Sequence, residues 1–219
     1  MSETLKIAVL GGTGKEGSGL AQRWIAKGYP VIIGSRDAEK AIAKAAEMNA
    51  QLNVQTVTGM ANSDAALHAD VVVLSVPYSA HKLTLEGVKD QVQGKILVDI
   101  TVPLQPPKVR TVHVPEGKAA SLEAQALLGE GVKVVCAFQN VSAEHLSDPH
   151  HVVDCDVLVC GNDADAKATV IKLVEATGMR GVDAGSLANA VAVEALTPVL
   201  LYINKAYSVK GSGIRITGI

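Results

Sequence analysis

A glycine-rich turn between an apolar strand and a helix constrains this chain more than any other feature. Residues 5–10 are apolar except for Lys6 and include the β-branched Ile7 and Val9, and they lead into the glycines of residues 11–17. The chain then continues at helical spacing to about Lys27 and returns to an apolar run at residues 30–36. A strand, a turn, a helix and a second strand in this order predict half of a dinucleotide-binding site.

Three glycines in the turn have separate tasks in such a site. Gly12 permits the tight turn, Gly14 leaves room for a pyrophosphate, and Gly17 lets the helix pack closely on the sheet. The free N–H groups and the dipole of the helix N-terminus favour the negative phosphates. A glycine-rich turn without a ligand is the alternative, but the flanking strands favour binding. The expected nucleotide-binding residues of this segment are Gly12, Thr13, Gly14, Lys15, Glu16 and Gly17.

The end of the second strand indicates which nucleotide binds. NAD sites usually place Asp or Glu about 20 residues after the glycines to bind the ribose 2′-hydroxyl, whereas NADP sites place Arg nearby. Here Ser35 and Arg36 end the strand, and Lys40 follows one helical turn later. Arg36 and Lys40 can neutralise a 2′-phosphate, and Ser35 can donate a hydrogen bond. Asp37 competes for the ribose, but its position favours a helix cap, so we expect NADP rather than NAD.

Composition limits the classes of partner. The chain has 219 residues, 48% of them hydrophobic, and a formal net charge of −2. This near-neutral balance predicts no binding to nucleic acid or to an anionic membrane, and we expect no apolar run long enough to span a bilayer. We expect no signal peptide, because the N-terminus leads directly into the first strand. The cysteines, Cys136, Cys155 and Cys160, are expected to be small buried hydrophobes. These features predict a cytoplasmic protein.

The hydrophobic pattern predicts an α/β fold of the Rossmann type, with a doubly wound and mainly parallel sheet. Further strands are expected at residues 54–58, 70–77, 95–101, 132–138, 156–160 and 180–183. Helices are expected at residues 38–48, 62–68, 121–128, 164–177 and 187–207. Because ligands gather at the carboxyl ends of the strands, we expect Ser75, Val76 and Pro77 to border the cofactor.

Other candidate catalytic groups are weaker. Tyr78 and Lys82 form a YxxxK pair of the kind that short-chain dehydrogenases use, but it follows the fourth strand rather than the fifth, so we interpret it as a coincidence. The histidines, including His145 and the pair His150 and His151, lack metal-ligand spacing and are expected to be solvated loop residues without a metal. The absence of an acid–base group beside the glycines suggests hydride transfer between two stacked rings, which needs positioning rather than proton transfer.

Short motifs spread over nearly the whole chain carry a family resemblance. They are residues 11–14 (GGTG) with 35–36 (SR), 74–77 (LSVP), 137–138 (AF) with 141–143 (VSA), 182–185 (VDAG), 194–198 (EALTP) and 213–218 (GIRITG). On these residues the chain resembles the NADPH-dependent F420 reductases, also called F420H2:NADP oxidoreductases. The resemblance implies a Rossmann domain with a small C-terminal domain, usually in a homodimer. It implies reversible hydride transfer between the nicotinamide C4 and the C5 of the deazaflavin F420.

The resemblance also implies roles for individual residues. Those implied to hold NADP are Thr13, Ser35, Arg36 and Lys40. Those implied to lie near the deazaflavin are Val102, Pro103, Gln139 and Asn140. Thr13, Val76 and Pro77 would position the rings, and no side chain would act as acid or base. We accordingly divide the chain into an NADP-binding domain at residues 1–145 and a C-terminal domain at residues 146–219, which completes the acceptor site and forms the dimer interface.

Three positions depart from an archaeal form of the family. That form has His in place of Gln139, Arg in place of Val191 and Ser in place of Ala195; the first change keeps a hydrogen-bonding side chain and the other two remove polar groups. Two alternatives to F420 reduction therefore stay open. One is an NADPH-dependent reductase of a flavin or a small carbonyl compound, and the other is a sensor that binds NADPH without turnover.

Overall fold

Short apolar runs form the strands of one eight-stranded sheet. In the computed structural model, which describes residues 4–149 and 151–219, the spatial order of the strands is β3-β2-β1-β4-β5-β6-β7-β8. The strands are β1 (Ile7–Leu10), β2 (Val31–Ser35), β3 (Val57–Ala61), β4 (Val71–Leu74), β5 (Ile96–Asp99), β6 (Lys133–Cys136), β7 (Asp156–Gly161) and β8 (Arg180–Asp183). The first six strands are parallel, in the order of the dinucleotide-binding fold. The expected α/β fold with a mainly parallel sheet is therefore confirmed.

Helices cover both faces of the sheet. They are α1 (Lys15–Ala26), α2 (Ala38–Leu52), α3 (Asn62–Leu67), α4 (Tyr78–Val88), α5 (Ala120–Leu128), α6 (Ala143–Leu146), α7 (Ala164–Ala176) and α8 (Ala190–Ala206), with a short 3₁₀ turn at Leu187–Asn189 before α8. One core cluster joins α1, α2 and α7 to the sheet, and the other joins α3, α4 and α5. This double cover explains why the strands are apolar at successive positions rather than at alternate ones.

Trp24 anchors the first of these clusters. Its ring is completely buried, meets the ring of Phe138 edge to face at 5.9 Å, and donates a hydrogen bond from Nε1 to the Leu173 carbonyl at 2.8 Å. One side chain of α1 thus contacts both the β6 end of the sheet and α7. This packing fixes α1, and with it the glycine turn, relative to the later strands.

The third strand lies three residues later than expected. Strand β3 begins at Val57 rather than at residue 54, because α2 continues to Leu52 instead of ending at residue 48. Asn53 then ends the helix with a left-handed backbone (φ 51°). The Asn49 side chain donates to the Val57 carbonyl at 2.9 Å and accepts from its N–H at 3.1 Å. This local bridge, which hydrophobic periodicity does not detect, sets the start of the strand.

The last helix corrects the membrane expectation. Residues 187–206 are long and apolar enough, by length and composition alone, to cross a membrane, so the expectation that no run reaches this length was wrong. One face of α8 nevertheless packs into the protein, where Val193, Glu194 and Pro198 are buried. Core helices of globular proteins pass the same length test, so the finding is weak evidence for a membrane span.

The sheet continues past residue 145, where we expected the second domain to begin. Strand β7 pairs antiparallel with β6 through Cys136 and Cys160, and β8 pairs parallel with β7. The C-terminal part therefore extends the same sheet and adds α8 beside it. All three cysteines are buried and unpaired, as expected.

Candidate functional site

Four glycines shape the turn and the start of α1. At Gly11, Gly12 and Gly17 a side chain would collide with neighbouring atoms, whereas at Gly14 it would fill an open space. Gly11 has a left-handed backbone (φ +74°), and a Cβ there would lie 2.2 Å from the Ser75 carbonyl oxygen. The strained turn position is thus Gly11 rather than Gly12, which corrects our assignment. Gly12 is required for another reason, since its Cβ would lie 2.7 Å from the Val9 carbonyl oxygen.

The other two glycines fit the tasks expected of them. A Cβ on Gly17 would lie 2.9 Å from Ser75 Oγ and 3.1 Å from a Val9 methyl, so only glycine lets α1 approach the sheet this closely. A Cβ on Gly14 would meet only the Gly11 carbonyl oxygen, at 3.4 Å. The space in front of Gly14 is therefore open. Gly14 caps α1, and no side chain among the described residues bonds to the first N–H groups of this helix, so these groups are free to donate hydrogen bonds to a phosphate.

The end of β2 separates the basic groups from Asp37. The Asp37 carboxylate accepts hydrogen bonds from the N–H groups of Glu39 and Lys40 at 3.1 and 3.3 Å, so it caps α2 as expected. The Asp37 N–H donates to Ser35 Oγ at 3.2 Å. Arg36 is exposed, and Lys40 lies 3.6 Å from Asp37. Two cations therefore stand beside a carboxylate that already serves the helix, an arrangement that suits a 2′-phosphate better than a free ribose hydroxyl.

A cleft of about 480 Å³ runs along the carboxyl ends of the parallel strands. Its first wall is the start of α1, and its floor is formed by the segments after β4, β5 and β6. Its far wall is α8 with the C-terminal tail. The lining residues that we expected at the site are Gly14, Lys15, Glu16, Ser75, Val76, Pro77, Val102, Gln139 and Asn140.

Seven expected site residues lie outside this cleft. Gly12 and Gly17 are buried within the turn, and Thr13 is exposed at its outer side. Ser35, Arg36 and Lys40 lie at the end of β2, and Pro103 does not line the cavity. Because β2 neighbours β1 in the sheet, the basic group and the cleft lie at the same edge on either side of the glycine turn. A dinucleotide that crosses the turn can therefore reach both.

Gln139 and Asn140 line the cleft, and each has a buried side-chain oxygen without a hydrogen-bond partner among the described residues. Both residues are 2% exposed. Gln139 donates through its amide nitrogen to the Asp99 carbonyl at 2.6 Å, and Asn140 donates to the Asp156 carbonyl at 2.7 Å. Neither side-chain oxygen has a partner among the described residues. Buried oxygens of this kind favour a ligand that brings N–H donors.

The far wall is attached to the floor by polar links. Thr197 of α8 donates from Oγ1 to the Gln139 carbonyl at 2.6 Å. In the tail, Ser212 donates from its N–H to Asn204 Oδ1 at 2.7 Å, and Ser142 donates from Oγ to the Lys210 carbonyl at 3.4 Å. Both ends of the wall are therefore fixed by hydrogen bonds within the chain.

Glu16 is an ionisable group at the cleft. Its side chain is partly exposed, and desolvation raises the pKa of its carboxyl to about 8. It lies in the first turn of α1 beside Gly14 and Lys15, at the phosphate end of the predicted site. The protonated form avoids repulsion between a carboxylate and a phosphate in this position.

The YxxxK pair lies apart from the cleft. The Tyr78 hydroxyl donates to Glu123 at 2.9 Å, and Lys82 lies 4.0 Å from Glu86 on the exposed side of α4. Neither side chain lines the cleft, as its interpretation as a coincidence requires.

One histidine contradicts the expectation of solvated loop residues. His81 is 2% exposed and bonds to the buried carboxylate of Asp99, because the helical spacing of α4 turns it toward the sheet. His150 lies outside the described residues, and His151 is exposed. Within the described residues there is no group of three side chains able to hold a metal ion.

Sequence reasoning did not assign several cleft residues to the site. They are Ile100, Thr101, Leu104, Val141, Ser142, Ala143, Glu144, Thr197, Leu200, Leu201, Asn204, Lys210 and Ser212. The rule that ligands bind at the carboxyl ends of strands could have found those after β5 and β6. No local signal indicates that α8 and the tail return to the same edge, since this depends on the packing of the whole chain.

Comparisons of three kinds each include F420-dependent NADP reductases. The family model described as "NADP oxidoreductase coenzyme F420-dependent" matches residues 6–103. The F420-dependent NADP reductase of Methanocaldococcus jannaschii is 45% identical over 98% of this chain and 99% of its own length. The enzyme of the same name from Methanothermobacter thermautotrophicus is 43% identical over 98% of this chain and 96% of its own length.

A solved structure extends this similarity to three dimensions. A crystal structure from Arthrobacter sp. FB24 matches with a TM-score of 0.83 and 29% identity, and the match covers 98% of this chain and all of the other. The similarity therefore includes the cleft and its far wall. The chain belongs to the family of F420-dependent NADP reductases.

Proposed function

We propose that this protein transfers a hydride reversibly between NADP(H) and the deazaflavin coenzyme F420. The observation that carries the proposal is a single cleft that begins at the uncapped N-terminus of α1 and has Gln139 and Asn140, with their unpaired buried oxygens, in its floor. One end suits phosphates, and the other suits a ring with N–H donors. Family membership, with 45% identity over nearly the whole length of an F420-dependent NADP reductase, supports the same function.

At the nucleotide end, we propose that the glycine turn and the end of β2 hold NADP. The open space at Gly14 lets the pyrophosphate approach the α1 N–H groups. Arg36 and Lys40 bind the 2′-phosphate, which gives the preference for NADP over NAD. Ser35, which precedes Arg36 at the end of β2, adds a hydroxyl group that can donate a hydrogen bond to the same phosphate.

At the ring end, we propose that the cleft orients two planar cofactors. The nicotinamide lies against Val76 and Pro77, and Thr13 helps to position it from the turn. The deazaflavin lies near Val102, Pro103, Gln139 and Asn140. The unpaired oxygens of Gln139 and Asn140 accept hydrogen bonds from ring N–H groups.

The chemistry belongs to the cofactors, since nicotinamide and deazaflavin rings exchange a hydride directly when they are stacked. The residues of this chain position the rings and exclude water. The reacting carbons must lie about 3–3.5 Å apart for efficient transfer. No side-chain acid or base is required by this scheme, and Glu16 serves the phosphate end.

We also propose a cytoplasmic homodimer. Val199 and Tyr202 of α8 are 44% and 61% exposed, and such an apolar face favours association with a second copy of the chain. Residues 146–219 would then supply both the acceptor wall and the interface, while residues 1–145 bind NADP. Three unpaired buried cysteines are consistent with a reducing compartment.

A spectrophotometric assay distinguishes the candidate functions. Purified protein mixed with NADPH and F420 should bleach the deazaflavin absorbance, with NADH as a control that supports much slower bleaching. If F420 is unchanged while free flavin or a small carbonyl compound is reduced, the acceptor has been assigned wrongly. Tight NADPH binding with no acceptor reduced would identify a sensor.

A further inference from the structure

A buried imidazole–carboxylate pair lies directly behind the cleft. His81 of α4 and Asp99 at the end of β5 are 2% and 0% exposed, and His81 Nε2 lies 2.8 Å from Asp99 Oδ2. Neither side chain lines the cleft. Such a pair is costly to bury, and the positions of its hydrogen-bonding partners suggest what it does.

The partners of Asp99 lead from the pair to the cleft. Its second carboxylate oxygen accepts from the Thr101 N–H at 3.0 Å, and its backbone carbonyl accepts from the Gln139 side chain at 2.6 Å. Thr101 and Gln139 both line the cleft. Asp99 therefore holds two cleft residues from two different loops.

The chain of contacts extends to the remaining walls. Thr197 of α8 donates to the Gln139 carbonyl at 2.6 Å. His81 lies in the first turn of α4, four residues after Pro77, which caps this helix and borders the cleft. The pair thus connects the segments that follow β4, β5 and β6 with the far wall.

Negative charges surround His81 and favour its protonated form. Burial lowers the pKa of His81, but hydrogen bonding and charge from Asp99, with the charges of Glu123 on α5 and Glu194 on α8, raise it above its usual value overall. Glu194 is itself held at the start of α5 by the N–H groups of Ala120 and Ser121 at 2.7 and 2.9 Å.

We propose that His81 and Asp99 act as a positioning pair that fixes Thr101 and Gln139 in the cleft for hydride transfer. Neither residue touches the cofactors. The pair holds the floor of the cleft in the geometry that aligns the acceptor ring, so its loss affects the acceptor and the transfer step more than NADPH binding. This inference rests on the proposed function, because it assigns the pair to the acceptor end of that site.

Two substitutions at His81 test the pair. His81→Leu removes the ring N–H donor at similar volume, whereas His81→Gln keeps an N–H donor within reach of Asp99. We expect His81→Leu to lower kcat by about ten- to a hundredfold and to raise the KM for F420, as misplacement of reacting groups does. The dissociation constant for NADPH should stay near the wild-type value, and His81→Gln should restore most of kcat. His68→Leu, at an exposed histidine that ends α3, is the matched control.

A second measurement does not depend on turnover. Hydrogen exchange of the Thr101 backbone amide, followed by NMR, should be faster in His81→Leu than in wild type and slow again in His81→Gln. If His81→Leu fails to fold, His81→Asn replaces it, because its shorter side chain stops short of Asp99. If the wild-type protein does not reduce F420 with NADPH, the proposed function is contradicted. The Thr101 exchange measurement then still tests whether His81 and Asp99 fix the floor of the cleft. The inference would be overturned if a folded His81→Leu variant kept the wild-type kcat, KM for F420 and Thr101 exchange rate. It would also be overturned if this variant lost as much affinity for NADPH as for F420.

Discussion

At the scale of single residues, Arg36 and Asp37 show how neighbours take different tasks. Asp37 uses its carboxylate to cap α2, so it is not free for a ribose hydroxyl. Arg36 has an exposed side chain at the edge where the nucleotide is proposed to lie. On the proposed function, Arg36 binds the 2′-phosphate of NADP while Asp37 caps the helix.

Replacing Arg36 by Ala tests this distinction. We expect the dissociation constant for NADP to rise by an amount equivalent to about 1.5–3 kcal/mol, the value of a charge-assisted hydrogen bond, while that for NAD changes little. Isothermal titration calorimetry with both nucleotides measures the difference. Lys27→Ala, at the opposite end of α1, is a control that should leave both affinities unchanged. An equal loss for both nucleotides would remove Arg36 from the 2′-phosphate site.

The sequence indicates the glycine turn more directly than the contacts behind the cleft, for a physical reason. Gly14 and Ser35 belong to one local strand–turn–helix–strand unit, whose spacing reveals its geometry. His81 and Asp99 are 18 residues apart, and their pairing depends on how α4 docks on β5. Because no local pattern encodes that docking, His81 was misassigned to a solvated loop.

At the scale of elements, the C-terminal tail depends on one buried carboxylate. Asp156 at the start of β7 accepts from Arg180 Nε at 2.9 Å and from the Ile216 N–H at 2.7 Å, and Arg215 Nη1 lies at 3.3 Å. Bonding to Arg180 holds the pKa of the Asp156 carboxyl well below its usual range. Asp156 thus attaches the tail, and through it Lys210 and the cleft wall, to the sheet.

Replacing Asp156 by Asn should destabilise the protein. We expect the free energy of unfolding to fall by about 3 kcal/mol, the lower end for breaking a buried ion pair, because Arg180 is partly exposed. Asp154→Asn, at an exposed carboxylate that pairs with Arg215, should cost less than about 1 kcal/mol. Urea unfolding at neutral pH measures both variants, and equal losses would contradict the special role of Asp156.

The pH dependence of this effect has a definite sign. The pKa of the Asp156 carboxyl is lower in the folded protein than in the unfolded chain. The carboxylate therefore stabilises the fold fully above the unfolded-state pKa of about 3.9. This stabilisation is lost as the pH falls through the folded-state pKa. The difference between wild type and Asp156→Asn should therefore shrink in acid. A difference that grows below pH of about 4 would contradict the assignment.

Element boundaries were less predictable than the elements. All eight strands were expected from apolar runs, yet β3 moved by three residues because the Asn49 side chain bridges Val57. Helix α4 was not predicted, since the run after Pro77 mixes polar and apolar residues and its buried face includes His81 and Thr84. Side chains that bond to backbone or to buried partners thus override simple periodicity.

At the scale of the whole molecule, the cleft joins parts that are far apart in the chain. Gly14 and Ser212 line the same cavity, although they lie near opposite ends of the sequence. The strand–helix alternation predicts a doubly wound, mainly parallel sheet, but it does not predict that α8 returns to this edge. The part that α8 and the tail take in this cleft was therefore indicated only by the family resemblance.

The exposed face of α8 gives a prediction about assembly. We expect wild type to be a dimer by light scattering after gel filtration, and Tyr202→Glu to be a monomer, because a buried charge at an apolar interface is unfavourable. Leu83→Glu is the control, since Leu83 is also exposed (69%) but lies on α4. A monomeric wild type, or dissociation by Leu83→Glu alone, would contradict the proposed interface.

The most direct test of the proposed function follows the hydrogen that moves between the two rings. NADPH deuterated at both positions of nicotinamide C4 is mixed with the enzyme and F420 in ordinary water, and the reduced F420 is analysed by mass spectrometry. We predict one deuterium on the deazaflavin C5, and none there when unlabelled NADPH is used in heavy water, because the proposed transfer passes directly between stacked rings without a side chain that carries the hydrogen. Deuterium that enters C5 from solvent, or F420 that is not reduced at all, would contradict the account.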